Sequence, residues 1–260
     1  MRINNSWPKI FLKILKLYLI SILCILPILA YSIIFTNGNI PSYSIVLCLL
    51  IGAIINSCWE FKSLKPVGLI LSKKNIWDVL IGILIGLSYF CVVLIINIII
   101  EKTIDVSEVF NFSLSLKAFV LILCYYLIVS FGEEIFFRGY ILNLALKYRR
   151  HAIPALVLQA LLFSLIHIVN PIYNSIYTFI FTFIFGLLLG YISICQGNIL
   201  GVIGLHLTNN VLSDILKINE NLLNMSVSLL IMILISILVY KNNGLLAFNK
   251  KSEEKQASTL

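Results

Sequence analysis

Eight apolar runs decide what this chain can become. A membrane-crossing helix needs about 20 mostly apolar residues. Such runs cover roughly 14–36, 42–59, 76–100, 116–148, 153–170, 173–195, 198–217 and 225–241. Within a bilayer every backbone polar group must be satisfied internally, and helices do that within a single segment. The sequence therefore predicts an all-α, polytopic membrane protein with about eight transmembrane helices. Composition agrees. Only 12% of the 260 residues are charged and 60% are hydrophobic, against about 25% charged in a soluble domain.

The loops carry the orientation. Positive charge gathers in the N-terminal flank (Arg2, Lys9, Lys13, Lys16), in the loop after the second run (Lys62, Lys65, Lys73, Lys74) and in the turn after the fourth (Lys147, Arg149, Arg150). It gathers again in the tail (Lys241, Lys250, Lys251, Lys255). Eight crossings place all four groups on one side. On the other side, the 101–115 loop sets Glu101, Asp105 and Glu108 against Lys102, and 37–41 and 171–174 are uncharged. The positive-inside rule then makes both termini cytoplasmic, in a multi-pass protein of the cell membrane. The net charge of +8 belongs to these loops. No basic run has the interleaved aromatics of a nucleic-acid surface, so the partner read here is the lipid bilayer and not nucleic acid.

Smaller features fit the same frame. The apolar run from Leu17 to Phe35 is too long for a signal-peptide core and lacks a small-residue cleavage site, so it reads as an uncleaved first span. Pro27 is expected to kink it. The cysteines, Cys24, Cys48, Cys58, Cys91, Cys124 and Cys195, form no C-x-x-C pair and read as small buried hydrophobes. Gly82-x-x-x-Gly86 and Gly186-x-x-x-Gly190 read as close helix packing within the chain. Ser252-Glu253-Glu254-Lys255-Gln256 marks a disordered tail.

The chemistry concentrates in the fourth run, at Phe131-Gly132-Glu133-Glu134-Ile135-Phe136-Phe137-Arg138-Gly139-Tyr140. A charge at the centre of a membrane helix costs about 2.5–3.5 kcal/mol, and such residues face inward, pair and serve function. Glu134 and Arg138 are four apart and share a helical face, so they are expected to pair. Glu133 is turned about 100° away and faces elsewhere. A purely structural reading has both glutamates tying the bundle through Arg138.

Two other segments can answer these charges from within the bilayer. In one, His167 follows Phe163 by one turn; in the other, His206 and Asn210 share a face. A lone histidine in a span is often only a hydrogen-bonded core residue. Two in different spans beside an unpaired glutamate point to a site. His151 lies in a basic turn and reads as solvated. If the fourth helix continues through the motif to Arg149, Glu133 lies about 24 Å from that turn and His167 about 20 Å from Pro154. Their depths then agree. His206 lies only about 12 Å from Asn198, and is shallower unless the 196–201 turn dips into the bundle.

A carboxylate, two imidazoles and a carboxamide suit hydrolysis. Glutamate can act as base on water, and an imidazole can hold that water or protonate a leaving amine. A second histidine and an asparagine can donate to a developing oxyanion. The same residues also suit a metal, with Glu133, His167 and His206 as a zinc set, so both readings stand at this point. The H-E-x-x-H pattern of soluble metalloproteases is absent. Ser164 is expected to bond back to its own helix, not to serve as a nucleophile.

Glu133-Glu134-x-x-x-Arg138, Phe163-x-x-x-His167 and His206-x-x-x-Asn210, in that order, resemble the three motifs of the CPBP family. These are the CAAX-protease and bacteriocin-processing, Abi or Rce1-like, intramembrane proteases. The resemblance covers about residues 117–216 and implies a membrane peptidase of eight helices. By that likeness Glu133 and His167 activate the water, His206 and Asn210 hold the oxyanion, and Glu134 and Arg138 support them. It implies a membrane-associated peptide or a lipidated protein as substrate. It also leaves a non-catalytic role, in bacteriocin immunity or membrane scaffolding, as the alternative. A transporter reading needs paired repeats or matching broken helices, and the sequence shows neither. The organisation read here is N-terminal helices over 1–116, a protease core over 117–216, a last span over 217–241 and a cytoplasmic tail over 242–260.

Overall fold

A computed structural model describes residues 7–35, 42–69, 73–101, 114–148, 152–168 and 176–215, with short helical stretches between 226 and 237. Every regular element among them is helical. Helix α1 spans Trp7–Phe35, α2 Ser42–Phe61 and α3 Lys73–Glu101. Helix α4 spans Leu116–Glu134, passes into a π-helical stretch at Ile135–Leu142 and resumes as α5 at Asn143–Tyr148. Helices α6 (Ala152–Ile168), α7 (Ile176–Gln196) and α8 (Leu200–Ile215) complete the described bundle. Pro27 lies inside α1, which continues through it.

Five of these stretches are long and apolar enough to cross a membrane: Trp7–Phe35, Tyr43–Phe61, Asn75–Ile95, Leu116–Tyr148 and Ile176–Gln196. They coincide with five of the eight expected spans, and the chain is a polytopic helical membrane protein. Expected spans 153–170 and 198–217 are helical over their described residues, Ala152–Ile168 and Leu200–Ile215. Most of α8 is buried, including Gly201, Gly204, His206 and Thr208, so its surroundings are largely protein. Most of the expected eighth span, the acidic loop with Lys102, Asp105 and Glu108, the pair Arg149–Arg150, His151 and the tail lie outside the described residues.

Small residues set the closest approaches. A Cβ on Gly82 would run into the carbonyl oxygen of Gly201, so α3 and α8 pack backbone to backbone there. A Cβ on Gly186 would sit 3.1 Å from Ala160 Cα and 3.3 Å from Phe163 Cδ1, which draws α7 onto α6. Both glycine pairs thus pack helices within the chain, as the sequence predicts. The cysteines differ from expectation. Cys48 and Cys195 are buried and Cys24 half-buried, but Cys58, Cys91 and Cys124 lie on the outer surface. On a membrane helix that surface meets lipid, where a small apolar side chain is at no disadvantage.

The α2–α3 connection is more than a basic loop. Lys62 and Lys65 are exposed, but Val67 and Gly68 are buried. Val67 packs on Gly139 of the π-helical stretch, and the Gly68 carbonyl accepts the Ile199 N–H at 3.2 Å, just before α8. At the same end, Glu60 binds Lys13 of α1, Lys147 at 3.1 Å and the Tyr148 hydroxyl at 2.9 Å. One carboxylate therefore joins α1, α2 and α5.

Candidate active site

The Glu133–Arg138 motif falls at the seam where α4 turns π-helical. A π-helix bonds i to i+5, is rare, and appears inside α-helices mostly at functional sites. All eight residues of the stretch are buried. Asn143 stabilises it from the following turn: its Nδ2 donates to the carbonyls of Arg138 and Gly139, each at 2.9 Å.

Glu134 and Arg138 pair as the spacing predicts, with Arg138 Nη1 donating to Glu134 Oε1 at 2.7 Å and both side chains fully buried. Arg138 is held on two further sides. Its Nη2 donates to the Gly186 carbonyl at 3.3 Å, and its guanidinium lies 4.4 Å from the centre of the Phe163 ring. That combination offsets the cost of removing a cation from water, by charge, hydrogen bond and aromatic face together.

His206 joins the same carboxylate. Its Nδ1 lies 2.7 Å from Glu134 Oε1, and its Nε2 lies 3.8 Å from Glu133 Oε2. Because a carboxylate paired with arginine only accepts, Nδ1 carries the proton in this contact. The depth question is thereby answered: His206 reaches the level of the glutamates. In the turn that precedes α8, Gly197 is exposed but Asn198 and Ile199 are almost inaccessible.

His167 stands slightly apart. Its ring packs on Phe163, with centroids 4.5 Å apart, and its Nδ1 bonds the Phe163 carbonyl at 2.7 Å. Among the described residues no hydrogen bond or ion pair joins His167 to either glutamate. Phe163 is the connecting element: its ring centre is 6.0 Å from that of His206 and 5.2 Å from that of Phe137. Asn210, one turn beyond His206, is half-buried. Ser164 departs from expectation. Its hydroxyl donates across to the Phe179 carbonyl of α7 at 2.6 Å and contacts Thr182 at 3.0 Å, because α6 and α7 are close enough for the shorter route.

Two residues of this region escaped the sequence reading. Gln159 is fully buried and donates through Nε2 to the Gly186 carbonyl at 2.8 Å, the same oxygen that receives Arg138. Asp78, on α3, accepts from Asn198 Nδ2 at 2.7 Å. Both are polar groups inside apolar runs, and the argument from cost that found Glu133 would have found them.

Among the described residues no three His, Cys, Asp or Glu side chains stand close enough together to hold a metal ion. Nδ1 of His206 meets Glu134 and Nδ1 of His167 meets its own helix, which turns Nε2 of both rings the other way, an arrangement common to histidines that bind through Nε2. The arrangement presents a carboxylate beside an imidazole. Glu133 is slightly accessible, at 12% of its side chain, and Glu134 is at 0%. Glu133 Oε2 has no hydrogen-bond partner in the protein.

Residues 115–212 match the family model described as Type II CAAX prenyl endopeptidase Rce1-like. The match takes in all three motifs, and the family comprises intramembrane endopeptidases. No curated protein matches the chain.

Proposed function

We propose that this chain, which carries an Rce1-like domain of the CPBP family over residues 115–212, is an intramembrane endopeptidase acting on membrane-associated peptides or lipidated proteins. The observation that carries this reading is the split of the glutamate doublet. Glu134 is spent on Arg138 and His206, and Glu133, which pairs with no arginine, is the more accessible of the two, at 12% of its side chain against 0%.

In this mechanism Glu133, assisted by His167, takes a proton from water as the water oxygen attacks the scissile carbonyl carbon. The carbonyl electron pair moves to oxygen, where His206 and Asn210 donate to it. For His206 to donate there, Nε2 must carry a proton, and the proton taken by Glu133 is only 3.8 Å away. Collapse of the intermediate breaks the C–N bond, and the leaving amine takes that proton. Glu134 and Arg138 hold the imidazole in place throughout.

Eight crossings with both termini in the cytoplasm complete the reading, on the charge asymmetry of the loops. Reporter fusions after Asn39, Ser107 and Tyr173 should then read outside, and a fusion after Lys74 inside; reversal at any two sinks this topology.

The deciding experiment presents purified protein with a library of lipidated and plain peptides, with Glu133→Ala as control. Cleavage by wild type alone supports the proposal. Identical behaviour of the two proteins gives the immunity or scaffold reading instead.

A further inference from the structure

We infer that Asp78, acting through Asn198, is a positioning residue that sets how deep His206 sits against Glu134; the inference rests on His206 being part of the site. Spans read from sequence leave His206 too shallow, because it lies only about 9 Å along α8 from Leu200. To bring it level with Glu134, the end of the turn before α8, at Asn198 and Ile199, has to be carried into the bundle. A buried turn exposes backbone groups that must find partners.

The structure supplies those partners around Asn198, which is 4% exposed. Its Oδ1 accepts the Leu200 N–H at 2.9 Å, capping the start of α8. Its Nδ2 donates to Asp78 Oδ2 at 2.7 Å and to the Gln196 carbonyl at 3.3 Å. The Ile199 N–H goes to the Gly68 carbonyl. Gly197, at φ +71°, makes the reversal that lets Asn198 point inward.

Asp78 is the only charged group in this set, and it comes from α3, the helix on which α8 lies. Gly82 packs on the Gly201 carbonyl and Gly204 on the Val79 carbonyl, with Thr208 seated at Gly86 farther along the same seam. Backbone-to-backbone packing of that kind supplies closeness but little register. The charge-assisted bond from Asn198 to Asp78 supplies the register. A slip along the seam would carry His206 away from Glu134 Oε1 without unfolding either helix.

The test reads His206 directly. The chain has only three histidines, so 15N-histidine NMR of the protein in nanodiscs is tractable, with His206→Gln giving the assignment. Asp78→Ala removes the acceptor, and Asn198→Asp sets two carboxylates against each other. Both are expected to shift the His206 ring signals and leave those of His167 in place. Exchanging the pair, Asp78→Asn with Asn198→Asp, restores a donor and an acceptor and should return the wild-type His206 signals. It should also restore turnover, which the single variants lower about 10²-fold in kcat at unchanged KM, the scale of a 1 Å misplacement. If either single variant fails to fold, recovery by the exchanged pair still decides. Wild-type His206 signals in both single variants, or an exchanged pair that folds without recovering them, would overturn the inference. The NMR readout needs no substrate, so it stands or falls separately from the peptidase reading.

Discussion

His206 Nδ1 lies 2.7 Å from Glu134 Oε1, the same oxygen that receives Arg138 Nη1 at 2.7 Å. One carboxylate oxygen therefore anchors a cation from its own helix and an imidazole from α8. The second glutamate of the motif works as the keystone of a buried network, and the first glutamate stands outside its arginine pair.

Arg138→Ala should be more damaging to the fold than Glu133→Gln. Breaking a buried pair leaves an uncompensated charge and costs about 3–5 kcal/mol. Arg138→Lys should not rescue, because lysine cannot reach Glu134 and the Gly186 carbonyl with a planar fork while stacking on Phe163. Thermal unfolding in detergent measures this; equal midpoints for Arg138→Ala and Glu133→Gln would refute the division of roles.

Glu133→Gln keeps the shape of the side chain and removes the base. Its Oε2 has no hydrogen-bond partner to lose, so helicity and thermal midpoint should match wild type. Turnover should fall to background. Retained turnover in a folded Glu133→Gln protein would remove Glu133 from the chemistry.

Local rules made much of this legible, and tertiary facts supplied the rest. The Glu134–Arg138 pair follows from four-residue spacing, and the Phe163–His167 contact from the same rule. The π-helical stretch does not follow, because its register depends on Asn143 and on Val67 packing at Gly139, contacts that sequence spacing does not encode. The seating of His206 was invisible for a similar reason. Hydropathy treats the 196–201 segment as a surface turn, and only the bonds of Asn198 and Ile199 to Asp78 and Gly68 show that its second half is carried inward.

Gly82→Ala should destabilise the bundle. The added methyl meets the Gly201 carbonyl, which is helix backbone and cannot rotate aside. Overpacking of this kind costs about 1–3 kcal/mol. Ser88→Ala, on the exposed face of the same helix, loses only a bond to its own Leu84 carbonyl and should be close to neutral. Comparable thermal midpoints for the two variants would show that the α3–α8 seam is looser than it is drawn here.

The oxyanion role of His206 and Asn210 makes the sharpest kinetic demand. Removing one donor to a developing oxyanion typically costs about 10²–10³ in turnover. Asn210→Ala should therefore keep weak, measurable activity and unchanged substrate affinity, and Glu133→Ala and His167→Ala should fall to background. His206→Ala should lose more than Asn210→Ala, because it also takes away one of the two groups that Glu134 Oε1 holds, leaving only Arg138. The competing arrangement makes His206 a zinc ligand with His167 and Glu133. It requires that Nε2 of the two rings and the Glu133 carboxylate converge on one ion, and among the described residues they form no three-ligand group. Metal content and chelator sensitivity separate the two. The oxyanion assignment expects no stoichiometric zinc and full activity after chelator treatment in wild type and Asn210→Ala. Stoichiometric zinc that disappears in His206→Ala, with chelator inactivating the wild type, would replace that assignment and leave the peptidase reading intact.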